Sequence, residues 1–149
     1  MYVDYTQDQK IYSQYIASDA YDVCKEVKGI FDMLASRFAL AYEQCFDIKV
    51  ILCELLQNAI LHGNECDINK KIHLEIWYKE KRKVLEIRVK DQGCGFNTQN
   101  QFNLSIPDCH NHDILQMDES GRGLLIVKEL CDNLEFNNKG NTITVTKKL

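Results

Sequence analysis

Proline is nearly absent from this 149-residue chain, where Pro107 stands alone, and no Pro-, Gly- or Ser-rich linker or internal repeat divides it. One domain of ordinary size is expected over residues 1–149, long enough to bury a core. No surplus of basic residues exists either: 18 Lys and Arg face 22 Asp and Glu, a net charge of -4 spread along the chain. Nucleic-acid binding is therefore disfavoured, because phosphate backbones are met by basic faces. No apolar run approaches the roughly 20 residues that span a bilayer, and no signal-peptide h-region opens the chain. A cytoplasmic protein without membrane contact is the expectation. The seven cysteines include no Cys-x-x-Cys pair, and their odd number argues against a disulfide framework. Cys24, Cys45, Cys53 and Cys131 lie in helix-like apolar stretches and are expected to act as small, reduced hydrophobes. Neither Gly-x-x-x-x-Gly-Lys-Ser/Thr nor Gly-x-Gly-x-x-Gly occurs, which excludes a P-loop and a dinucleotide fold of those types.

What is present is periodic. Lys10 to Ala17 alternates loosely and predicts a first strand. Ser18 or Asp19 can cap the helix that follows, whose apolar stripe runs through Ala20, Val23, Cys24, Val27, Ile30, Phe31, Leu34 and Phe38. That helix is expected to fade near Ala41 to Gln44. A second helix is predicted from about Asp47 to His62, apolar on nearly every side and so packed between layers, with Gly63 ending it in the left-handed conformation. Ile72 to Tyr78 and Val84 to Val89 read as a β-hairpin across a charged turn. Phe96 to Ser120 is a long polar stretch, functional or mobile rather than a simple connector. Leu124 to Leu130 has helical spacing, and Leu134 to Asn137 with Thr142 to Thr146 closes the chain as a hairpin. The fold class is α+β: a two-layer sandwich of helices on one face of a mostly antiparallel sheet.

Three polar islands interrupt this pattern. Glu54 and Asn58 sit four apart on the second helix, so they share a face. They are satisfied core polars, a helix edge facing water, or a working pair, in which Asn58 gives a neutral oxygen to Mg²⁺ and Glu54 takes a proton from a nucleophile. Asp91 follows a strand and precedes Gly93 and Gly95. A carboxylate there can accept from the exocyclic amine of adenine, with the glycines letting backbone approach the base; an ordinary tight turn is the other reading. Gly121-Arg122-Gly123 opens a helix, where N–H groups and the dipole favour phosphate. Arg122 either touches phosphate or is solvated on the outer face. Together the islands supply what an ATP site needs. The cluster Cys109-His110-Asn111-His112-Asp113 could ligate zinc, but its ligands are crowded and lack a second separated pair, so a hydrophilic lid is preferred. His62 reads as a helix-end histidine and His73 as a strand-surface one.

Glu54-x-x-x-Asn58, Asp91-x-Gly93-x-Gly95 and Gly121-x-Gly123 resemble the three boxes of the GHKL ATPases, the superfamily of gyrase and the sensor histidine kinases, which share the Bergerat fold. Glu54-Leu-Leu-Gln-Asn-Ala-Ile-Leu-His-Gly63 and Glu119-Ser-Gly-Arg-Gly-Leu-Leu-Ile-Val-Lys-Glu-Leu-Cys-Asp132 are most similar to the anti-sigma-factor serine/threonine kinase branch. The resemblance implies Asn58 as magnesium ligand, Glu54 as catalytic base and Asp91 as adenine contact. Gly93, Gly95, Gly121 and Gly123 would shape the pocket with Arg122 beside them, and residues 96–120 would form the ATP lid. It also implies ATP and Mg²⁺ as cofactors, a small antagonist protein as phosphoacceptor, a sigma factor as further partner, and room for a homodimer. A histidine kinase is disfavoured, since such enzymes usually carry Asn where Glu54 stands and the chain leaves no space for a phosphoacceptor helix pair. A nucleotide-gated binding regulator without turnover, or an ATPase fragment of a sensor kinase, are the alternatives.

Overall fold

The computed structural model of the chain describes residues 8–93 and 119–149. Strand β1 (Asp8–Ala17) leads into α1 (Ala20–Arg37), then α2 (Tyr42–Asn58), which continues as one π-helical turn over Ala59–Gly63. Strands β2 (Lys71–Lys79) and β3 (Val84–Lys90) follow, then α3 (Glu119–Leu130), β4 (Asn133–Phe136) and β5 (Thr142–Lys148).

Local chemistry sets most of these boundaries. Asp19 caps α1 by accepting the Tyr21 N–H at 2.9 Å, satisfying one of the orphan donors of the first turn. The stripe Val23, Val27, Ile30 and Leu34 is the buried face, as its spacing predicts. The chain leaves the helix at Phe38, which turns extended and packs its ring against Tyr78 at 4.7 Å between centroids. Here the expected boundaries need correction. The first helix ends before Ala41, and the segment where it was expected to fade begins α2, five residues ahead of the predicted Asp47 start. Ala41 has no side-chain oxygen to advertise a cap; instead the Gln44 side chain reaches back to accept the Ala41 N–H at 2.9 Å.

The five strands form one sheet in the order β1-β2-β3-β5-β4, every neighbouring pair antiparallel. Alternation decides its faces. Ile72, Leu74 and Ile76 of β2, Leu85, Ile87 and Val89 of β3, and Ile143 and Val145 of β5 join the helical stripes in one core. The opposite face carries charge: Lys10 pairs with Glu75 at 3.2 Å and lies 5.0 Å above the Trp77 ring, and Lys79 pairs with Glu86 at 3.3 Å. Helices on one face of an antiparallel sheet match the expected sandwich. Lys147 ties the layers, donating to Asp47 at 3.0 Å and to the Leu130 carbonyl at the end of α3 at 2.7 Å.

Two further expectations are corrected. α2 buries Ile48, Ile51, Leu52, Leu55 and Leu56, yet Lys49, Cys53 and Gln57 face outward, so it is amphipathic rather than apolar all round. Cys24 and Cys53 are exposed free thiols on the outer ridges of α1 and α2, not core hydrophobes; Cys45 and Cys131 are part-buried. Among the described residues no helix is long and apolar enough to cross a membrane.

Candidate functional site

One turn of α2 brings Glu54 and Asn58 to the same face, and the π-turn beyond adds Leu61 and His62. α3 packs against this face, and the two elements enclose a cleft of about 240 Å³ between Glu54, Gln57, Asn58 and His62 on one side and Arg122, Gly123 and Ile126 on the other. The close approach depends on Gly123: a β-carbon there would overlap the Glu54 carboxylate oxygen and stand 3.3 Å from its Cδ. The Arg122 Nε–H is buried with no hydrogen-bond partner among the described residues. A buried donor without an acceptor is costly, by about 1–3 kcal/mol, and is therefore ready to receive one. An amide oxygen, a carboxylate and an unsatisfied guanidinium donor thus meet around one space, a donor set suited to a phosphate chain with a hard cation.

A second constellation lies at the far end of the same helix. Asp91 follows β3, its N–H bonded to the Asn141 carbonyl at 3.0 Å, and its carboxylate accepts the Gly93 N–H at 2.8 Å. The residue is only 9 % exposed, and burial raises its pKa above the ordinary aspartate value, opposed by the Gly93 bond and the Lys70 charge. Gly63 sits directly against it: a β-carbon on Gly63 would overlap the carboxyl group and lie 2.7 Å from the Asp91 Cβ. One on Gly93 would in turn overlap the Gly63 carbonyl. The predicted role of Gly63 is corrected accordingly. It does not adopt a positive φ; the left-handed residues are Glu65 and Cys66, just beyond. Glycine is needed at 63 because the turn after β3 passes where a side chain would be.

Asn64, the next residue, is fully buried. Its Nδ2 donates to Ser18 Oγ at 2.7 Å and to the Lys71 carbonyl at 3.1 Å, while its Oδ1 accepts the Gln92 N–H at 2.7 Å. The Ser18 hydroxyl in turn donates to the Lys70 carbonyl at 2.9 Å. Sequence reasoning missed Asn64, gave Gln57 and Gln92 no role within the polar islands, and placed His62 at a helix end without seeing that it lines the cleft. The one available signal was an amide directly after the last apolar turn of α2. His73 is where the strand pattern put it, stacked on Tyr15 at 4.3 Å with its Nε2 3.2 Å from Ser13 Oγ.

Glu54, Asn58, Arg122 and Gly123 therefore share one cleft, whereas Asp91 and Gly93 adjoin the helix end next to it rather than lining it. Gly121 is the third residue of α3, which starts at Glu119; the helix opens two residues ahead of the predicted glycine start and takes in the last two residues of the predicted lid. Gly95, lid residues 96–118 and the Cys109-His110-Asn111-His112-Asp113 cluster lie outside the described residues. Among the described residues no group of three or more His, Cys, Asp or Glu could hold a metal ion.

The Asp91 shift has a testable sign. Since the fold raises this pKa, the protonated carboxyl stabilises the native state. That contribution is fully present below the ordinary aspartate pKa and is lost as pH rises through the raised folded value. Asp91→Asn is therefore expected to melt above the unmutated chain at neutral pH, with the gap closing as pH falls into the acid range; thermal unfolding across a pH series measures it. A gap that widens in acid would contradict the assignment.

The family model described as histidine kinase-like ATPase domain matches residues 18–147. The chain is 32% identical to the serine-protein kinase RsbW of Bacillus subtilis over 118 residues, covering 78% of this chain and 72% of that protein. It is 31% identical to the protein of that name from Bacillus velezensis, with the same coverage, and 28% to that of Listeria monocytogenes, covering 76% and 72%.

Proposed function

This chain belongs to the histidine kinase-like ATPase domain family, and from that premise we propose that it is an ATP-dependent protein kinase that phosphorylates a serine or threonine on a small antagonist protein. The observation that carries the reading is the shared cleft, in which Glu54 and Asn58 face Arg122 across the gap that Gly123 keeps open. The kinase names of the relatives point to a serine as acceptor.

Asp91 accepts a hydrogen bond from the exocyclic amine on C6 of adenine, where guanine carries a carbonyl oxygen that cannot donate. Arg122 Nε–H donates to a phosphate oxygen, relieving its orphaned state. Asn58 would hold Mg²⁺ through its amide oxygen, and the cation would supply charge to offset that of the phosphates. Glu54 takes the acceptor hydroxyl proton as that oxygen bonds to the γ-phosphorus and the bond to the leaving ADP oxygen breaks. Little covalent work is asked of the protein beyond this; positioning and charge carry most of the rate. Gly93 and Gly121 shape the pocket beside these groups. Release of a sigma factor on phosphorylation of the antagonist, a homodimer and a cytoplasmic location complete the proposal.

The test is incubation of the purified chain with γ-labelled ATP, Mg²⁺ and small candidate acceptor proteins. Label is expected on one serine or threonine of one candidate and to depend on magnesium. Release of free phosphate with no acceptor labelled would refute protein-kinase activity.

A further inference from the structure

Beyond the groups that would touch nucleotide, the hydrogen bonds around Asn64 close on themselves. The Gln92 N–H donates to Asn64 Oδ1, the Lys71 N–H donates to Gln92 Oε1 at 2.5 Å, and Asn64 Nδ2 donates back to the Lys71 carbonyl. The ring joins three separate segments: the end of α2, the start of β2 and the turn after β3. Asn64 is satisfied in every polar group, since its own N–H bonds the Ala59 carbonyl at 2.8 Å and its carbonyl accepts the Asp67 N–H at 2.9 Å. A buried amide so completely bonded is rigid, and it fixes whatever it holds.

What it holds is the backbone that carries Asp91. The N–H of Asp91 is anchored on the Asn141 carbonyl, and the next N–H along, that of Gln92, is anchored on Asn64. The Asp91 carboxylate therefore leaves the chain between two pinned amides. Asn64 caps the π-turn that continues α2, six residues beyond Asn58. We propose that Asn64 is a positioning residue for purine selection: through its ring with Gln92 and Lys71 it sets the Asp91 carboxylate relative to Asn58 and Glu54, without contacting nucleotide. This inference rests on the assignment of Asp91 as the adenine acceptor.

The experiment measures ATP and GTP affinities by calorimetry on the full chain with Mg²⁺. The unmutated chain should prefer ATP. In Asn64→Ala that preference should fall by about tenfold, and in Gln92→Ala, at an exposed side chain that leaves folding intact, by a smaller but measurable factor. In an Asp91→Asn background, Asn64→Ala should change the ratio no further, because both act through one carboxylate. Leu34→Ala in the buried stripe of α1 should lower Tm while the ratio stays. A wild-type ratio in Asn64→Ala, or in Gln92→Ala should the former not fold, overturns the proposal. So does an equal loss in Leu34→Ala, which would make the effect one of general destabilisation. Equal affinity for ATP and GTP in the unmutated chain would instead remove the Asp91 assignment, and the ring's role with it.

Discussion

Replacing Glu54 by glutamine is expected to lower phosphoryl transfer by about 10²–10⁴-fold, the usual worth of a general base, while ATP affinity stays within a few-fold. The substitution is nearly isosteric. The space that Gly123 leaves for the side chain remains filled, and α2 and α3 keep their approach. What disappears is the capacity to take a proton. A serine hydroxyl is a poor nucleophile until that proton has somewhere to go, so loss of the acceptor falls on the rate and not on binding. Label transfer to the acceptor protein measures the first quantity and calorimetry with ATP and Mg²⁺ the second. Transfer at the unmutated rate would move the base elsewhere. Loss of ATP binding to the same degree as transfer would make Glu54 a binding residue instead.

The second large effect is expected at Gly63. Gly63→Ala places a methyl group inside the Asp91 carboxyl. Asp91 cannot swing aside easily: it is buried, its Oδ1 is held by the Gly93 N–H, and Gly93 is itself pressed against the Gly63 carbonyl. Overpacking of this kind costs about 1–3 kcal/mol, roughly 3–10 °C in Tm for a domain of this size. ATP affinity should fall at least tenfold as well, because what moves is the adenine acceptor. Gly29→Ala is the control. A β-carbon there meets nothing within 4 Å in the middle of α1, and the substitution should stabilise by about 0.5–1 kcal/mol. If the two variants behaved alike, the close contact at Gly63 would have no energetic meaning.

These two glycines show where sequence reading stops. Both lie in or beside helical segments, and locally they look similar. Gly29 is an ordinary helix-interior glycine; Gly63 is required by a residue 28 positions away. Local periodicity carries information about burial within one element, so the stripe of α1, the alternation of β2 and β3 and the final hairpin were all readable. It carries none about a close approach between segments far apart in sequence. The misplaced break between α1 and α2 has the same character. Apolar spacing runs on through it, and the cap at Ala41 is made by a glutamine three residues later.

The same division runs through the site. Residue types and their order were enough to single out Glu54, Asn58, Asp91, Arg122 and the glycines beside them, because carboxylate, amide and bare backbone are conspicuous in apolar surroundings. By itself the sequence determined the kinds of element and the chemistry available to them. Only the tertiary structure decided that α3 closes on α2 to leave Arg122 Nε without an acceptor among the described residues, beside Glu54, and that Asn64, unremarkable in the sequence, sits at the centre of a closed ring. The physical reason is range: helix and strand preferences act over a few residues, whereas hydrogen-bond satisfaction and excluded volume are settled only when distant segments meet.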